Sequence, residues 1–92
     1  MPVSKGEQEF RRQLQGWAEG YKEVMPPALY ESIRDHLDRR DPQGYTLCFD
    51  SPLRAQLMEM IAQWAVRQPG DIWHAYTNGL GLAWASMEHT YH

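Results

Sequence analysis

Ninety-two residues leave room for a single domain, residues 1–92, because a second hydrophobic core would not fit in so short a chain. The net charge of −3 argues against a general polyanion binder, which needs an excess of Lys and Arg to neutralise phosphates. A lone cysteine, Cys48, excludes a disulfide scaffold, and no run of apolar residues is long enough to span a bilayer. The single thiol and the polar opening Met1–Glu7, which has no leader-like apolar run, together predict a cytoplasmic protein.

Charge is unevenly spread. Every charged side chain except Asp71 and Glu88 lies before residue 68, and the remaining tail holds Trp73, Tyr76, Trp84, Tyr91 and three of the four histidines. A segment this aromatic and this weakly charged is expected to be buried, in its own core or against a partner.

Ser4-Lys5-Gly6-Glu7 reads as a capping box that opens a first helix. Phe10, Leu14, Trp17, Tyr21 and Val24 follow at helical spacing and form one apolar stripe. Gly16 and Gly20 stand on its flank, where a four-residue glycine spacing would allow another element to approach. Pro26-Pro27 ends this helix and starts a second, whose Leu29, Ile33 and Leu37 share a face with Tyr30 and His36 at its margins. The turn Asp41–Gly44 closes an αα-hairpin, and Tyr45–Phe49 alternates bulky and small residues like a short strand.

Asp50-Ser51-Pro52 then begins a third helix, which Pro69-Gly70 stops. Leu53, Leu57, Met60, Ile61 and Trp64 make its expected core stripe, and Met58, Ala62, Ala65 and Val66 widen the apolar arc. Such a helix is expected to be sandwiched, with Met58 and Val66 facing either a sheet or a second chain. Asn78-Gly79 is a strong type I′ turn signal, and the residues around it alternate with period two, which predicts a β-hairpin over about 72–77 and 80–86. The competing reading makes Asn78-Gly79 a helix C-cap followed by a last helix. The expected fold is therefore α+β: a helical hairpin, then strand, helix and β-hairpin forming a small sheet, with an all-α bundle as the alternative.

Candidate chemistry is sparse. Cys48 and Arg54 have the Cys-x5-Arg spacing that resembles the phosphate loop of cysteine-dependent phosphatases and arsenate reductases, where the thiolate attacks and the Arg grips an oxyanion. Pro52 removes a donor from that loop, Asp50 would repel the anion, and no glycine lets the chain curl, so Cys48 is read as structural. His89 and His92, with His74, are the residues a metal ion would use, but the expectation is no metal and no cofactor. Arg11, Arg12, Arg39 and Arg40 could make a basic edge for nucleic acid, although residues 1–41 interleave them with as many acidic side chains. No complete catalytic set emerges, so no enzymatic activity is expected. The sequence points instead to a protein-binding module, an inhibitor, adaptor or accessory subunit of the kind phages and other mobile elements carry. Its partner would be another protein or a second copy, met by Met58, Val66, Trp73, Tyr76 and Trp84. A nucleic-acid regulator using the Arg edge and a small metal- or anion-binding subunit are the alternatives from other classes.

Overall fold

A computed structural model describes residues 5–38 and 52–91, with side chains to Ser86. Helix accounts for 86% of the described residues, and none of them forms a strand. The elements are α1 (Lys5–Gly20), α2 (Pro27–Asp38), α3 (Pro52–Ala65), α4 (Gly70–Ala75), a π-turn (Tyr76–Leu80) and α5 (Gly81–Tyr91). The fold is all-helical, which corrects the α+β expectation; the expected strand at 45–49 lies outside the described residues. No described helix is long and apolar enough to cross a membrane.

The proline punctuation works as the sequence implies. Pro27 supplies the first helical position of α2, and the carbonyl of Pro26 accepts from Leu29 and Tyr30 N–H at 3.0 and 3.1 Å. Pro69 does the same for α4, its carbonyl accepting from Ile72 N–H at 3.0 Å. Between them α3 winds down through bonds from Val66, Arg67 and Gln68 N–H to Ala62, Trp64 and Ala65 carbonyls.

The predicted β-hairpin is instead one helical run from Gly70 to Tyr91. Asn78-Gly79 lies inside the π-turn and neither turns a hairpin nor caps a helix. The periodicity that the structure uses is Ile72, Tyr76, Leu80 and Trp84, spaced by four, all of which are buried or packed on the core. Steps of four overshoot an α-helical turn by about 40° each, so a wider π-turn in the middle keeps the stripe on one side. The Gly81 N–H reaches back to the Tyr76 carbonyl, closing that wider turn. A Cβ at Gly79 would stand 3.1 Å from Gln13 Oε1, so glycine there allows the run to lie close on α1.

The first helix is the hub: α2, the π-turn and α5 all pack on α1, and α3 packs on α2. Phe10, Leu14 and Ala18 of α1, Ile33 of α2, Ile61 and Ala65 of α3, and Leu80 are wholly buried in one cluster. Gly16 and Gly20 are exposed, and a Cβ on either would meet nothing within 4 Å, so their spacing marks no close approach.

At the C-terminal end of α1 the core becomes aromatic. Trp17 meets Tyr21, Trp64 and Tyr76 edge-on, with ring centroids 5.4, 5.8 and 6.3 Å apart, and Trp73 stacks on Tyr76 at 5.4 Å. This is how the weakly charged tail buries its aromatic residues, on a helix rather than a sheet.

Candidate functional site

The buried face of α3 is Arg54, Leu57, Met58, Ile61 and Ala65. Arg54 occupies its first position and is completely removed from solvent. At 100° per residue the face is rotated by about 70° from the expected stripe. The rotation buries Met58 and exposes Leu53 and Met60, each 45% accessible.

A buried guanidinium must spend its donors on partners, and Arg54 does so on two other helices. Its Nη1 and Nη2 donate to Glu7 Oε1 and Oε2 of α1 at 2.6 and 2.8 Å, a bidentate pair. Its Nε donates to His36 Nε2 of α2 at 2.8 Å. Phe10 lies under it, ring centroid 4.8 Å from the guanidinium carbon. Glu7 and His36 are themselves buried. Three helices thus meet on one cation, through residues separated by up to 47 positions in the chain.

The acceptor role fixes the imidazole. His36 Nε2 must offer a lone pair to Arg54, so the ring is neutral and its proton is on Nδ1. Both carboxylate oxygens of Glu7 and the Nε2 of His36 accept from the guanidinium, so the cluster ties the three helices together.

His36 also forms part of a surface recess of about 160 Å³ between α2 and α3. Ser32 and Asp35 line it from α2, and Leu53, Gln56, Leu57 and Met60 from α3. Its apolar wall, Leu53 and Met60, is the exposed flank of α3, while its polar wall belongs to α2, where Ser32, Asp35 and His36 line it.

The residues expected to bind a partner are dispersed. Met58 is 4% exposed and belongs to the core, so it cannot meet a partner or a sheet from the surface; Val66 is 57% exposed on the opposite flank of α3 from Leu53. Trp73, Tyr76 and Trp84 are half-buried, and Trp84 packs on Phe10 at 5.6 Å.

The described half of the Arg edge, Arg11 and Arg12, is engaged within the protein. An Arg11 guanidinium nitrogen donates to the Leu37 carbonyl, tying α1 to the end of α2. Arg12 donates to both oxygens of Glu9 at 2.7 and 3.0 Å. Those bonds, with a third from Gln13, hold the Glu9 carboxyl below its ordinary range and the Arg12 guanidinium above its own. Arg39 and Arg40 lie outside the described residues, as does Cys48. Arg54 is buried and bound to Glu7 and His36, which removes the anion-gripping half of the Cys-x5-Arg reading.

His74 is exposed on α4; the side chains of His89 and His92 lie outside the described residues. Among the described residues no three His, Cys, Asp or Glu side chains converge on a metal position.

The ionic cluster went unrecognised in the sequence, yet the signal was there. Glu7 is one turn before Phe10, His36 is three after Ile33, and Arg54 is three before Leu57, so each polar member falls in phase with an apolar stripe. No protein-family model, curated protein or solved structure matches the chain.

Proposed function

We propose that this is a non-enzymatic protein-binding module that receives an amphipathic helix of another protein along the α2–α3 recess. The observation that supports this most is the exposed pair Leu53 and Met60 beside the recess, on a helix that is otherwise well packed. Apolar side chains one helical face apart, flanked by a polar wall, suit the helix-in-groove mode. Methionine adapts readily to a partner's shape. The Asp35 carboxylate on the α2 wall favours a partner with a basic residue beside its apolar anchor.

The test compares capture by the wild type with capture by Leu53→Glu/Met60→Glu. Both positions are exposed, so the variant should keep its circular dichroism spectrum and melting temperature. It should lose a partner that Val24→Glu, a change at another exposed apolar residue, retains. A partner peptide lacking basic residues, or capture indifferent to both α3 substitutions, would overturn the proposal.

A further inference from the structure

We propose that His36 makes the packing of α2 on α1 and α3 pH-sensitive, the neutral imidazole closing the Glu7–Arg54 cluster and the protonated ring opening it. The geometry requires a lone pair on Nε2, because Arg54 Nε donates to it at 2.8 Å and arginine has no proton to surrender near neutrality. Protonating Nε2 would point one N–H at another beside a guanidinium wholly removed from solvent, where an unmade bond is costly.

Among the described residues, charged groups come near the ring from each helix that packs there. Arg54 of α3 faces it directly, and Glu7 of α1 has both oxygens bound to that arginine. Arg11 of α1 reaches the next residue of α2, at the Leu37 carbonyl, and Asp35 of α2 shares the recess. Glu7 is held in place by its two guanidinium bonds, and Arg11 adds positive charge.

The sign follows from linkage. The unfolded chain takes up a proton near the ordinary histidine value of about 6.5, whereas the closed cluster excludes it. Stability is therefore complete above that value and lost as the pH falls through it. The recess wall that His36 contributes would be remodelled over the same range, whether or not a partner uses it.

Urea unfolding of the full chain at intervals from pH 7.5 to 5, above most carboxylate titrations, tests this. For the wild type, the folded-to-unfolded ratio should fall toward ~tenfold per pH unit at the acid end, the signature of one proton. In His36→Gln an amide oxygen can take the Nε2 position and accept from Arg54 without titrating, so that profile should be flat by comparison. His74→Gln, at an exposed position, should follow the wild type. Parallel profiles for wild type and His36→Gln would overturn the proposal. Should His36→Gln fail to fold, histidine NMR of the wild type decides instead. A proton on Nε2 at pH 7, or titration near 6.5 with the fold intact, sinks the idea.

Discussion

Arg54 sits where an aliphatic residue would serve the core more cheaply. Removing a guanidinium and a carboxylate from water costs several kcal/mol per ion, and their mutual attraction offsets this only when the geometry is good. Here it is good: two parallel bonds to Glu7, a third to His36 and an aromatic ring beneath. The pair is consequently asymmetric under mutation. Arg54→Met keeps the bulk but takes the bidentate partner from a buried carboxylate, and should cost about 3–5 kcal/mol. Adding Glu7→Leu removes that carboxylate and should restore most of the loss, since buried pairs are often replaceable by apolar residues. Denaturant unfolding of the single and double variants measures it. A double variant no more stable than Arg54→Met would mean the guanidinium matters for something other than its carboxylate.

Among the elements, α1 and α2 were legible because their signals are local: stripes of helical period and a pair of prolines that can only end one helix and start another. Of the five stripe positions on the first helix, Phe10, Leu14 and Trp17 are buried, whereas Val24 is 58% exposed beyond the helix end. The phase of α3 was not legible by counting apolar residues, because a charged residue leads its buried face. The tail misled for a different reason. Asn78-Gly79 is a genuine local preference for a turn, overridden by four side chains that all reach the core when the chain stays helical.

Glycine reports the same contrast between exposed and packed helix. Gly16 lies within α1, exposed, with open space where a Cβ would be, so Gly16→Ala should gain up to about 1 kcal/mol from helix propensity alone. At Gly81 a Cβ would stand 3.1 Å from the Tyr76 carbonyl oxygen, which the residue's own N–H already holds. The gain should be absent there, and Gly81→Ala should be neutral or destabilising. Melting temperatures of the two variants decide the matter, and equal increases would show that the π-turn has slack.

At the scale of the whole molecule, two contacts hold the C-terminal run on the bundle: Trp84 on Phe10, and the aromatic group in which Tyr76 connects Trp73 to Trp17. The second can be read by pH. Burial pushes the Tyr76 phenol above its ordinary value, because the phenolate would lose water in the cluster. A raised value means stability that is complete below the unfolded-state value of about 10 and is lost as the pH rises from there through the folded-state value. Tyr30 shifts upward as well, chiefly because it donates to Glu19, and acts in the same direction from the surface. Tyr76→Phe keeps both ring contacts and removes one titration. Its melting temperature should therefore match the wild type near neutrality and decline less steeply between pH 9 and 11. Tyr30→Phe, on α2 and bonded to Glu19, should leave the Tyr76 contribution in place. An unchanged alkaline decline in Tyr76→Phe would mean that the phenol is hydrated in the folded state and the run is held by Trp84 and Leu80 instead.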